Sequence, residues 1–315
     1  MITQAIDNVR QTPKVLVENK LTFAGPESEL SIYDTYQQAE RVQLKSDQLL
    51  FCAMVTGKKV MHSTADNFHG EFLPHESFIM APDSTVEIDF PIAQIGDPTT
   101  CLAIEISSDR VQQVSAMLNQ QQPLNKAFGH WQYDNKLVHT HHNSETQNVL
   151  NRIVQIYAEN HPDRSAMVAL AVSELTIRLL HQQTREFILA FSNKEPDHNG
   201  LNAAINYIEL HLHESLNIDE LARIACMSRT KFFHEFKQHL GCSPIAYQSQ
   251  TRLKHAAMLL KKGLQVTQVC FTLGFTNTSH FSRCFKKFYG LSPRQYKARH
   301  LPHCHHNSLN NHLNS

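Results

Sequence analysis

Between residues 29 and 106 the apolar positions come in short bursts rather than long stripes. The runs 49–55, 77–80, 86–90 and 101–106 are continuous or alternating, and they are punctuated by Ala81-Pro82-Asp83-Ser84 and Gly96-Asp97-Pro98. Short runs of this kind, closed off by turn residues, predict antiparallel strands of a small barrel or sandwich. From about Asp109 the period changes. Val149, Ile153 and Ile156 share one face of a predicted helix over 144–159. Val168, Val172, Leu175, Leu179 and Ile188 recur at helical spacing over 163–191. The polar stretch 192–200, with Pro196 and Gly200, reads as a linker.

Beyond it the chain repeats itself with an offset of 49 residues. Ser228 pairs with Asn277, Thr230 with Ser279, Phe232 with Phe281, and Phe236-Lys237 with Phe285-Lys286. Gly241 then pairs with Gly290, Ser243-Pro244 with Ser292-Pro293, and Tyr247 with Tyr296. One unit is therefore used twice. In each copy a short predicted helix is followed by a turn (Cys226-Met227, then Gly274-Phe275) and a capping residue (Ser228, then Asn277). A second helix follows and stops at a glycine, where a left-handed residue is cheap. Asn217-x-x-Glu220 has the form of a capping box for the first unit. Two short helices joined by a tight turn can place the second in a major groove. Between the units, Ser243-Pro244 opens a connecting helix that Gly263 ends.

The second helices are two-faced. Phe232, Phe236 and Leu240 share one face in the first, as do Phe281, Phe285 and Phe288 in the other. Opposite them lie donors suited to base edges and phosphates. The DNA-binding residues expected on this pattern are Arg229, Thr230, Lys231, His234 and Lys237 in the first unit. In the second they are Thr278, Ser279, His280, Ser282, Arg283, Lys286 and Lys287. Charge strengthens the case. The 315-residue chain is formally neutral, yet from residue 200 onward 14 basic residues face 5 acidic ones, a balance of +9. The rest carries −9. Such segregation points to a polyanion partner for the C-terminal part.

These residues resemble the AraC/XylS family of bacterial transcription regulators. The second unit carries the strongest match: Gly274-Phe275, the run 279–287, Gly290, Ser292-Pro293 and Tyr296. The first matches through Leu221-Ala222, Met227-Ser228, Phe232, Phe236-Lys237, Gly241, Tyr247 and Arg252-Leu253. The chain departs from the pattern at Phe233, where many members carry a polar residue, and at His234, where arginine is commoner. The resemblance implies an α+β protein. An N-terminal cupin-like β-barrel with flanking helices would bind an effector and dimerise. An all-α C-terminal domain would carry two helix-turn-helix units joined by a linker helix. The expected divisions are 1–191, a linker at 192–200, the DNA-binding domain at 201–299 and a disordered tail at 300–315. Within the DNA-binding domain the units are expected at about 218–240 and 266–289. The implied partners are double-stranded promoter DNA, an unidentified small-molecule effector, a second copy of the chain and RNA polymerase. The implied role is that of an activator.

The remaining signals point away from other classes. The seven cysteines form no CxxC pair, which suits reduced thiols in a cytoplasmic protein. No apolar run is long enough for a membrane span, and residues 1–8 lack the pattern of a secretory leader. His62, His69, Glu71 and His75 lie in the expected barrel, but not at the cupin metal-ligand spacing, so no metal or other cofactor is expected there. His139, His141 and His142 form a second cluster, and His303, Cys304, His305 and His306 a third, in an asparagine-rich tail. No nucleophile elbow, P-loop or HExxH pattern is present. A cupin-type enzyme fused to a DNA-binding module and an architectural DNA binder stand as the alternatives to an effector-responsive regulator.

Overall fold

The computed structural model describes residues 2–63, 68–124, 129–133, 138–142, 144–194 and 200–300. Helix α1 (Ile2–Asp7) precedes nine strands: β1 (Asn19–Gly25), β2 (Ser28–Thr35), β3 (Ala39–Lys45), β4 (Leu49–Thr56), β5 (Lys59–Ser63), β6 (Phe68–Phe72), β7 (Glu76–Met80), β8 (Thr85–Phe90) and β9 (Thr99–Ile106). Helix α2 (Ser108–Gln121), strand β10 (Val138–His141) and helices α3 (Ser144–Ala158) and α4 (Arg164–Lys194) follow. The strands fall into two antiparallel sheets, ordered β1-β2-β9-β4-β7-β10 and β3-β8-β5-β6. Strand pairing begins at Asn19, ten residues before the first position at which the apolar pattern suggested it.

The larger sheet is covered on both sides. Leu50, Cys52 and Met54 of β4 point between the sheets, toward Met61, Phe72, Phe78, Ile88 and Phe90. Leu49, Phe51 and Ala53 point the other way, onto Ile6, Val149, Ile153, Val172 and Leu175 of the helices. Burial on both faces explains why 49–55 reads as an unbroken apolar run instead of alternating. Charged side chains also lie in the interior, among them Asp34, Lys59 and Glu76. Lys59, 2% exposed, donates from Nζ to Glu18 Oε1 at 3.2 Å and lies 3.0 Å from Cys101 Sγ. A buried ammonium is tolerated when it is paired in this way.

Helix α4 runs on to Lys194, into the stretch whose polarity reads as linker, and residues 195–199 lie outside the described residues. Seven helices follow: α5 (Gly200–Leu210), α6 (Ile218–Ile224), α7 (Arg229–Leu240), α8 (Pro244–Lys261), α9 (Val266–Thr272), α10 (Thr278–Tyr289) and α11 (Pro293–His300). Their hydrophobic groups fall into two clusters, and the clusters differ. The core around α6 and α7 is shared with the N-terminal helices: Val114, Leu118, Trp131 and Leu180 pack in one cluster with Leu221, Phe232, Phe236 and Tyr247. The core around α9 and α10 consists of C-terminal residues, among them Leu253, Val269, Phe281, Phe285 and Tyr296, with Leu73, just after β6, added. The architecture is thus an N-terminal antiparallel-sheet part with flanking helices, followed by an all-helical part with two helix-turn-helix units.

Candidate nucleic-acid interface

Each unit is built by local chemistry. Asn217 caps α6, its side chain accepting from the backbone N–H groups of Asp219 and Glu220. The chain turns at Cys226, whose φ is 54°, and Ser228 caps α7 by accepting from Lys231 N–H. Asn277 does the same for α10, accepting from His280 N–H at 2.7 Å. Gly241 and Gly290 end the two helices in the left-handed conformation, at φ 67° and 74°. The aromatic faces turn inward. Phe232, Phe236, Phe281 and Phe285 are all fully buried, while Phe288 is half-buried at the edge of its core. Phe236 meets Phe232 at 5.5 Å and Tyr247 at 5.8 Å between ring centroids, both edge-on. Phe285 meets Tyr289 at 4.6 Å and Tyr296 at 5.2 Å.

Opposite these anchors the polar side chains reach solvent. In α7, Arg229, Thr230, Lys231, His234 and Lys237 are exposed. In α10, Ser279, His280, Arg283, Lys286 and Lys287 are exposed, while Thr278 and Ser282 are half-buried. Two of them have protein partners: Arg229 Nη1 lies 3.2 Å from Asp219 Oδ1, and His280 Nε2 lies 3.4 Å from Cys284 Sγ. Phe233 is half-buried and packs edge-on against Phe232.

The connecting helix α8 has 18 residues, so it spans about 27 Å. One of its cations serves a purpose that charge counting misses. Arg252 donates to the carbonyls of Leu212, of Glu214 at 2.7 Å and of Gly274 at 3.2 Å. Its guanidinium thereby ties the α5–α6 loop to the turn of the second unit. Gly274 has φ 72°, and a Cβ there would stand 2.1 Å from His213 O, so only glycine fits this turn. The fork of donors on Arg252 sets the two units relative to each other, a role invisible in its spacing.

Contacts with the N-terminal part were also not legible. Gln238 Nε2 on α7 donates to Pro123 O at 3.1 Å, and a cleft of about 840 Å³ opens beside it. Gln122, Arg178 and His181 line one side of the cleft, and His234, Lys237 and Gln238 of α7 line the other. Burial pushes the imidazoles of His181 and His239, one on each side of this junction, below the usual histidine value. The second unit touches the sheets at another place, since a Cβ on Gly290 would lie 2.0 Å from the His75 ring.

Two histidines of the second cluster have structural partners. His142 is buried and hydrogen-bonded to Ser77 and Gln147, and His139 Nε2 lies 3.3 Å from Glu76 Oε2. His62 and His69 lie on the outer face of the smaller sheet, away from the space between the two sheets. No group of three or more metal-ligating side chains exists among the described residues. His303, Cys304, His305 and His306 lie outside the described residues. No described helix is long and apolar enough to cross a membrane.

Comparison with known proteins agrees with this division. Residues 221–299 match a helix-turn-helix domain model, and residues 26–187 match the model of the AraC-type transcriptional regulator N-terminus. Among curated relatives, an uncharacterized HTH-type transcriptional regulator of Haemophilus influenzae is 39% identical over 98 residues, 31% of this chain and 33% of that protein. The probable transcriptional regulator LumQ of Photobacterium leiognathi is 32% identical over 114 residues, 35% of this chain and 45% of its own length. The HTH-type transcriptional regulator ArgR of Pseudomonas aeruginosa is 32% identical over 136 residues, 42% of this chain and 41% of its own. The chain thus spans between a third and a half of the length of these relatives. Among solved structures, ToxT of Vibrio cholerae aligns over 87% of this chain and 98% of its own, with 12% identity and a TM-score of 0.36. An AraC-type DNA-binding regulator of Chromobacterium violaceum aligns over 34% of this chain and 95% of its own, with 28% identity and a TM-score of 0.31. With one family model covering half of the chain and a helix-turn-helix model covering the two units beyond it, this chain belongs to the AraC-type transcriptional regulators.

Proposed function

We propose that this regulator reads promoter DNA with α7 and α10 in two successive major grooves on one face of the duplex. The observation that carries the reading is the paired arrangement of the two helices. Each is anchored by buried aromatics, presents exposed cations and hydroxyls outward, and is set by α8 and Arg252 relative to its twin. Successive major grooves lie about 34 Å apart, comparable with the length of α8 plus the width of a helix. Arg229, Thr230, Lys231, His234 and Lys237 make the contacts of the first unit. Thr278, Ser279, His280, Ser282, Arg283, Lys286 and Lys287 make those of the second. The surplus of basic residues supplies the sequence-independent part of the affinity by displacing counterions from phosphates.

The N-terminal part makes the regulator responsive. A small-molecule effector bound there changes DNA affinity or half-site choice through the junction at α7, where the two parts share a core and a cleft. The protein acts as a cytoplasmic homodimer and an activator that contacts RNA polymerase, and it performs no catalysis. The test is selection of duplexes from a random pool by the full chain. Two short motifs with centres one helical repeat apart, about 10–10.5 bp, are expected. A single motif, or none, would overturn the two-groove reading.

A further inference from the structure

The β5–β6 hairpin carries a side-chain pair that DNA binding does not use. Its register sets His62 directly opposite His69. Alternation sends Lys59, Met61 and Ser63 inward and leaves Val60 and His62 on the outer face. The two imidazoles come together there, with Nδ1 of His62 at 2.9 Å from Nδ1 of His69 and ring centroids 4.7 Å apart. His69 is exposed, so the pair is reachable from solvent.

The far side of His62 is already engaged. Its Nε2 lies 2.8 Å from Asp89 Oδ2, while Asp89 Oδ1 accepts from the backbone N–H of Arg41 at 2.8 Å. When Asp89 accepts from Nε2–H, the lone pair of His62 lies on Nδ1, aimed at His69. Carboxylate behind, bare nitrogen in front: this is how ligating histidines are normally oriented. Two nitrogens facing each other at this distance must share either a proton or a cation. Nearby carboxylates are otherwise occupied, since Glu87 accepts from Arg41 Nη1 at 2.8 Å and Glu71 from Lys58 Nζ at 2.5 Å.

We propose that His62 and His69 chelate a divalent transition cation on the outer face of the smaller sheet, with Asp89 orienting His62. A metal about 2.0–2.1 Å from each nitrogen would see the pair at roughly a right angle, given their separation. That angle is the cis edge of a tetragonal site, the geometry favoured by copper(II) and nickel(II). Two imidazoles leave the other positions to water, so the site binds reversibly. The clip joins β5 to β6, and Leu73, the residue that follows β6, sits in the core of the second helix-turn-helix unit.

Nickel is the suitable probe, because copper(II) would oxidise the protein's thiols. Calorimetric titration of the untagged full chain with Ni²⁺ should show one ion per chain more than the same titration of His69→Gln, whatever the tail histidines bind in both. Asp89→Asn should keep that ion but weaken it about 10–100-fold. Equal stoichiometry in wild type and His69→Gln overturns the proposal. Should His69→Gln fail to fold, anomalous scattering from a Ni²⁺-soaked wild-type crystal decides instead. A peak between the two Nδ1 atoms supports the site, and its absence overturns it.

Discussion

Replacing Phe236 with alanine tests whether the first helix-turn-helix unit and the N-terminal helices form one cooperative body. The ring is fully buried and touches Phe232 and Tyr247 edge-on. Removing a buried phenylalanine costs about 3–5 kcal/mol, and two lost aromatic pairs put the expectation in the upper half of that range. The chain supplies its own reporter. Trp131 is the single tryptophan, 1% exposed, and lies in the same cluster as Phe236. Its Nε1–H donates to Gln122 O at 2.7 Å, beside the cleft that α7 lines. With a urea m-value of about 2–3 kcal/mol/M, the Trp131 fluorescence midpoint should fall by roughly 1.3–2.5 M in Phe236→Ala. Phe285→Ala removes an equally buried ring from the other core and should leave the Trp131 midpoint nearly in place. Its effect should appear instead as lost amide protection over residues 266–300. An unmoved Trp131 midpoint in Phe236→Ala, with far-UV signal lost from the C-terminal helices, would show that the shared core does not couple the two parts.

Three further outcomes are expected. Arg283 is exposed and lies on the outward face of α10, so Arg283→Ala should leave thermal stability unchanged. It should cost about 1–3 kcal/mol of specific DNA affinity, read by fluorescence anisotropy on a selected duplex. Burial lowers the pKa of His75, His181, His239 and His300 below the usual value. The unfolded chain then binds more protons, so the stability these groups contribute is present above about pH 6.5 and is lost as pH falls through the lowered native values. Thermal melts should accordingly shift downward between about pH 7.5 and 5.5, and melts that rise would contradict the burial of these rings. Light scattering at micromolar concentration should report a dimer, and a strictly monomeric mass with and without DNA would remove the proposed homodimer.

How much of this was legible in the chain depends on the range of the interaction. Caps, turns and helix faces are local, so Ser228, Asn277, Gly241 and Gly290 announced both units, and the 49-residue offset showed that one design was used twice. The buried aromatics followed from helical spacing alone. Strand β1 escaped although its burial alternates, because Leu21 and Phe23 are the only large apolar residues on its inward side, too short a run to stand out. Long-range pairings were not readable. Arg252 looks like one more basic residue until its three carbonyl partners from two loops are in place. Lys59 sits one residue after a lysine on a surface-like hairpin, and nothing local says that it turns inward toward Glu18. Nor does anything local say that Gln238, beside Lys237 on α7, donates to Pro123 O. The histidines of the hairpin stand out as a group in the chain, but only the register shows that two of them meet and that they do so on the outside.

The central claim is that two recognition helices act together on one face of DNA, and footprinting across a salt series tests it most directly. The shared core makes the full chain, rather than an isolated C-terminal fragment, the proper material. On a selected duplex the account predicts two protected patches about one helical turn apart. It also predicts that affinity falls with salt at a log–log slope near −5, as for about six neutralised phosphates. One protected patch, or affinity indifferent to salt, would contradict it.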